Sequence, residues 1–97
     1  MIKSYYMKHA KAKDIALKGL TFLLSEDNLR ERFMAITGIL PDEIKELIDS
    51  NDFLVAVLDF YIQHEPDLLL LAQAHTIAPE LIVSSWRELG GGLGQEW

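Results

Sequence analysis

The sequence predicts an all-α fold, a compact bundle of five to six short helices. Three observations carry that expectation. Apolar residues recur at three- and four-residue steps rather than alternating. Each of the three prolines, Pro41, Pro66 and Pro79, is followed at once by an acid, the pattern of a first helical turn. No segment reads convincingly as a strand. The 97 residues, 49% of them apolar and 25% charged, suit one globular domain with one modest core.

The first predicted helix covers about residues 8–24. Ala12, Ile15, Ala16, Gly19, Leu20 and Leu23 fall on one face, with Lys11, Asp14, Lys18, Thr21 and Ser25 on the other. Gly19 lies on the apolar face, where the lack of a side chain lets another helix approach closely. The second helix opens in Ser25-Glu26-Asp27-Asn28, rich in capping side chains and early negative charge. Its stripe is Leu29, Phe33 and Ile36, and Gly38 is placed as a left-handed C-terminal cap. Helix three is expected over residues 41–49, with Ile44, Leu47 and Ile48 inward.

Helix four begins after Ser50-Asn51-Asp52 and reaches about His64. Phe53, Leu54, Val57, Leu58 and Tyr61 make its stripe, and Val55, Ala56, Phe60 and Ile62 widen it until little polar face remains. Helix five, residues 66–75, carries Leu68-Leu69-Leu70-Leu71-Ala72 and is apolar all round over more than a turn. Helices this apolar belong at the centre of a bundle or against a partner, so two helical hairpins are expected to pack around helices four and five. Helix six, residues 79–89, buries Ile82, Trp86 and Leu89. Residues 1–89 then form a single domain, and the glycine-rich residues 90–97 a flexible tail. An offset of 38 aligns Pro41 on Pro79, Phe33 on Leu71, Ile39 on Ile77 and Ile44 on Ile82, so the two hairpins share one pattern.

Composition excludes several functions. The chain has no cysteine, hence no disulfide, thiol nucleophile or thiolate metal site. The longest apolar runs, residues 53–58 and 68–72, fall far short of the roughly 20 residues that span a bilayer. Residues 1–8 lack the pattern of a secretory signal, so a cytoplasmic protein is expected. A net charge of −6 disfavours a general nucleic-acid binder. Residues 33–44 do resemble the turn of a helix-turn-helix, which keeps a nucleic-acid-associated regulator as an alternative. Against it, residues 41–49 hold four acids and one lysine and would meet phosphates with repulsion.

Chemistry has few candidates. His9, His64 and His75 are too dispersed to form a ligand set, and no metal or cofactor site is expected. Asp59 sits amid Val57-Leu58 and Phe60-Tyr61, and a buried carboxylate there, with His64 nearby in sequence, would suit a small enzyme or ligand binder. The competing reading is a partly exposed or structurally bonded aspartate. No partner base, nucleophile elbow or phosphate-cradling loop accompanies it, so the chain reads as a non-enzyme. Charge is distributed unevenly. Residues 1–18 hold five lysines against one aspartate, a net +4, and residues 19–97 hold four basic and fourteen acidic side chains, a net −10. The basic helix either is neutralised by its own domain, docks an acidic partner or touches an anionic membrane surface. Lys8, Lys11 and Lys18, with Leu69 and Leu70 of helix five, therefore form the candidate interaction surface. The function this supports is a protein-interaction or adaptor module, with self-association included.

Two stretches carry a resemblance to a known family. They are residues 33–38, with Ala35-Ile36-Thr37-Gly38 before Pro41-Asp42-Glu43, and Val57-Leu58-Asp59-Phe60 before Glu65 and the leucine run. The chain resembles, from about Ala12 to Leu89, a small all-helical bacterial family of unknown function best represented among alphaproteobacteria. Leu40 departs from the small polar or capping residue usual there. The resemblance implies a helical fold and a bacterial cytoplasmic setting, and brings no activity, cofactor or catalytic residue.

Overall fold

The computed structural model describes residues 2–92, with side chains from Lys8 onward. Its elements are α1 (Ile2–Ser25), α2 (Asp27–Thr37), a 3₁₀ turn (Pro41–Glu43) running into α3 (Ile44–Leu47), α4 (Asn51–Ile62), α5 (Glu65–Ala74) and α6 (Pro79–Glu88). Among the described residues the fold is an all-α bundle without strands. The first helix begins earlier than the predicted residue 8, because residues 2–7 contain neither proline nor glycine to interrupt it.

The predicted face of α1 is the buried one: Ala12, Ile15, Ala16, Leu20 and Leu23 all enter the core. This helix packs most extensively against α6 and also against α4 and α2. Gly19 marks the crossing with α4. A Cβ there would stand 3.1 Å from Tyr61 Cε2 and 3.5 Å from Val57 Cγ1. The missing side chain lets the Tyr61 hydroxyl donate a 2.6 Å hydrogen bond to the Gly19 carbonyl. Helix α4 is the most buried element, with Phe53, Leu54, Val57, Leu58, Phe60 and Tyr61 inside. Its start is fixed by Ser50, whose hydroxyl accepts the Phe53 amide at 3.3 Å. Helix α5 gives Leu71 and Ala72 to the core and leaves Leu69 and Leu70 half exposed.

Helix three is shorter than residues 41–49. Only Ile44 is buried, Leu47 is half-buried and Ile48 is exposed, so one row of contacts supports a single α-turn. A helix this short cannot lie along a major groove as a recognition helix does. Its start lacks a capping side chain at Leu40. The Glu43 carboxylate compensates by accepting the Leu40 amide at 2.8 Å. Ile36, expected inward, is 72% exposed, because Phe33 one turn earlier fills the space against Phe53 and Phe60.

The two hairpins share more than apolar spacing. The first turn is closed by Gly38 at φ 75° and the second by Thr76 at φ 53°, again 38 residues apart. In the first, the Gly38 amide returns to the Met34 carbonyl at 2.8 Å; in the second, the Ile77 amide returns to that of Ala72 at 2.8 Å. After α6 the chain stays packed beyond Leu89, since Gly91 is buried and its amide donates to the Trp86 carbonyl at 2.7 Å. A Cβ on Gly91 would lie 2.3 Å from the Trp86 ring, so this wrap needs glycine. Residues 93–97, the remainder of the expected tail, lie outside the described residues.

Two expectations follow for stability. Thr76 is an exposed β-branched residue in left-handed backbone, so Thr76→Gly is expected to raise unfolding free energy by about 0.5–1 kcal/mol in urea titration. For Tyr61→Phe, loss of the buried hydrogen bond is expected to cost about 1–2 kcal/mol at neutral pH. Burial, reinforced by Asp67 and opposed by a backbone hydrogen bond, pushes the Tyr61 phenol well above its ordinary value. The folded state thus holds this proton more tightly than the unfolded chain. That stability is complete below the unfolded value near 10 and falls by about 1.4 kcal/mol per pH unit above it. Urea midpoints at pH 8 and pH 11 are therefore expected to show the wild-type advantage over Tyr61→Phe shrinking at high pH.

Candidate functional site

The carboxylate that the fold buries is Asp67, not Asp59. Asp67 occupies the first turn of α5 and is 3% exposed. Its two oxygens each accept from Arg32 Nη2 at 2.8 Å, and Oδ2 lies 3.0 Å from His64 Nδ1. Position in the first helical turn also sets the carboxylate against the positive end of the helix dipole. Arg32 comes from the middle of α2, and its guanidinium carbon stands 5.3 Å over the Phe60 ring. Asp67, chiefly through the hydrogen bond, holds the Arg32 guanidinium above its ordinary pKa. Hydrogen-bonded to Asp67 and stacked over Phe60, the guanidinium ties α2 to α5 and α4 by side chains.

Clefts open on both sides of this bridge. On one side Arg32, Ile36, Thr37, Ala56, Asp59, Phe60, Gln63 and His64 line a cleft of about 300 Å³. Its apolar lining comes from Ile36, Ala56 and Phe60. On the other side a cleft of about 390 Å³ has Phe22, Leu29 and Leu70 as apolar walls, with Asp67, Glu26, Asn28 and Gln73 around them.

The structure places the sequence-derived candidates as follows. Asp59 is half-buried and lines the first cleft with His64, where it accepts a long 3.4 Å contact from Gln63 Nε2. His75 lies elsewhere, edge-on to Phe22 at 6.1 Å. Leu70 lines the second cleft, while Leu69 is exposed beside it on α5. Lys18 pairs with Asp14 of its own helix at 3.1 Å. Lys8 and Lys11 are exposed, make no ion pair among the described residues, and line a narrow groove between α1 and α6. Among the described residues no three His, Asp or Glu side chains gather where they could hold a metal ion, and no single helix is long and apolar enough to cross a membrane.

Sequence reading missed Arg32 and Asp67. The acid after Pro66 fits a solvent-facing first-turn residue, and its partner lies 35 residues away. The available signal was that Asp67 is the only acid between Pro66 and His75, on a helix otherwise apolar.

The bridge makes a direct test available. Arg32→Met leaves a buried carboxylate with only His64 beside it. Because Arg32 is itself about one-third exposed, the expected loss is about 2–3 kcal/mol rather than the larger cost of a fully buried pair. The double variant Arg32→Met/Asp67→Leu is expected to recover most of that loss in urea unfolding, since it removes the stranded charge.

A family model described as a protein of unknown function, DUF3572, matches residues 9–92. No curated protein and no solved structure matches the chain.

Proposed function

Because the chain belongs to the DUF3572 family, whose description assigns no activity, we propose from its own geometry that it is a protein-interaction module. The cleft beside the Arg32–Asp67 bridge is its docking site. The observation that carries this reading is Ile36, a large apolar side chain 72% exposed that lines a cleft together with Ala56 and Phe60. An apolar side chain in that position loses solvent contact only when something else covers it. Half-exposed Leu70 lines the cleft on the far side of the bridge, so a partner lying along α2 can meet both.

The partner's chemistry follows from the surroundings. Asp59 lines one cleft and Glu26 the other, within a region of net charge −10 between residues 19 and 97. The fitting occupant is an amphipathic helix with apolar anchors and basic flanks. The basic helix α1 of a second copy meets only half of that description, because its apolar face is already buried in its own core. Binding rather than catalysis is the role, since the first cleft is lined by no serine, cysteine or lysine, and the Thr37 hydroxyl donates to the Phe33 carbonyl at 2.8 Å. The setting in this reading is the bacterial cytoplasm, as the motif resemblance implies.

The test compares the tagged wild type, Ile36→Glu and the control Lys45→Gln in host lysate, with thermal melts of each. Ile36 is exposed, so the variant is expected to fold with near wild-type stability. One stoichiometric partner is expected with the wild type and the control, weakened about 10- to 100-fold for Ile36→Glu, as burial of an isoleucine predicts. A partner retained in full by Ile36→Glu would refute this docking site. Sedimentation of the purified chain as a dimer that Ile36→Glu dissociates would replace the partner with a second copy.

A further inference from the structure

Arg32 uses only part of its hydrogen-bonding capacity on Asp67. Both bonds to that carboxylate leave from Nη2, so among the described residues the donors on Nη1 and Nε have no such partner. The side chain is 35% exposed and lines the cleft of about 300 Å³ beside the bridge. His64 stands next to it, since its Nδ1 lies 3.0 Å from the same carboxylate, and it lines the same cleft. With its Nδ1 proton turned to Asp67, a neutral His64 keeps Nε2 as an acceptor. Asp59, adjacent to Phe60 on α4, brings a charge of the other sign. It is half-buried, forms no ion pair among the described residues, and accepts only the long 3.4 Å contact from Gln63. The apolar lining continues from these polar groups. Arg32 stacks over Phe60, Ile36 lies one turn along α2 from Arg32, and Ala56 lies one turn along α4 from Phe60.

We infer that this cleft binds a small zwitterion with an apolar side chain, a free hydrophobic α-amino acid. Its carboxylate accepts from the remaining Arg32 donors, its ammonium group donates to Asp59 and to His64 Nε2, and its side chain lies against Ile36, Ala56 and Phe60. The charges select this class. Arg32 is balanced by Asp67, which leaves the Asp59 carboxylate uncompensated in the cleft. A simple anion would meet Asp59 and a simple amine would meet the guanidinium, whereas a zwitterion offers each of them its counterpart. Partial burial strengthens both contacts relative to open water. An apolar lining with a few polar groups at fixed places is also the ordinary character of a small-molecule site. The inference goes beyond docking, because it concerns a free ligand of the chain alone and holds whether or not a partner helix binds.

The experiment titrates the purified ¹⁵N-labelled full chain with L-leucine and L-phenylalanine. Glycine, L-leucinamide and N-acetyl-L-leucine serve as incomplete ligands that lack, in turn, the side chain, the carboxylate and the ammonium group. Wild type is compared with Asp59→Asn and with Asp49→Asn, a control at an exposed acid outside the cleft, each checked by thermal melt. Saturable shifts around residues 32–37 and 56–64 are expected with leucine or phenylalanine. Each incomplete ligand, and Asp59→Asn, is expected to weaken binding about tenfold or more, as loss of a charged hydrogen bond or of an apolar contact implies, with Asp49→Asn unchanged. Absence of saturable shifts with both amino acids in wild type would overturn the inference. N-acetyl-L-leucine binding as tightly as leucine, or a folded Asp59→Asn with wild-type affinity, would do the same. The ligand series carries the test by itself if Asp59→Asn folds poorly, and no outcome of it bears on the Ile36→Glu comparison in lysate.

Discussion

Where α1 crosses α4, no side chain at Gly19 separates them, and the rest of the fold inherits that closeness. The phenol of Tyr61 fits against Gly19 only because no Cβ stands in its way, and its hydrogen bond to the Gly19 carbonyl fixes the ring. Phe60 is edge-on to Tyr61 at 5.5 Å, Phe33 is edge-on to Phe60 at 5.6 Å, and Phe53 meets Phe33 at 6.2 Å. Such edge-to-face contacts have preferred angles as well as distances. Position is thus passed from the helix crossing through Tyr61 and Phe60 to Phe33 of α2, which Phe53 of α4 braces from a second side. The guanidinium of Arg32, stacked over Phe60, stands on the same ladder.

The Arg32–Asp67 bridge solves a different problem. Helix α2 lies close to α1, and it meets α4 and α5 through the long side chains of Phe33 and Arg32. Space consequently remains on either side of the bridge, and it is there that Ile36 and Leu70 sit partly uncovered. Removing two charges from water costs nearly as much as their attraction returns, so such a pair adds little net stability over an apolar pair of similar size. What it provides is direction. A guanidinium held by a carboxylate and a ring has one orientation, whereas an apolar substitute could slide and let α2 collapse onto α5.

Most of the fold was legible in the residues, because a 3.6-residue period, capping side chains and the proline–acid pairs report local forces. The inward face of α1, the left-handed Gly38 and the matched turns of the two hairpins all belong to that class. The candidate site was much less legible. Asp59 sits among apolar sequence neighbours, which left a buried carboxylate and a partly exposed one both open; on the helix those neighbours point in other directions, and Asp59 is half-buried beside a cleft. Asp67 drew notice only as the acid that follows Pro66, a position that reports the helix start and not burial. Whether a carboxylate is buried depends on what stands opposite it, and Arg32 stands opposite only after α2 has folded back. Helix three shows the reverse limit. Its local signals favour nine residues of helix, and too few tertiary contacts sustain them.

The extensive pairing of α1 with α6 also bears on how the chain reaches this structure. These two elements are separated by the whole of α2 to α5, so their contacts close a long loop and have high sequence separation for a helical protein. The local hairpins can form with short loops, and α2 and α4 can cover part of the apolar face of α1 before α6 arrives to complete it. During synthesis α1 emerges first and α6 last of the six helices. The part of the α1 face that meets α6 is thus completed last, and the lysines on the opposite face keep the helix charged towards solvent until then.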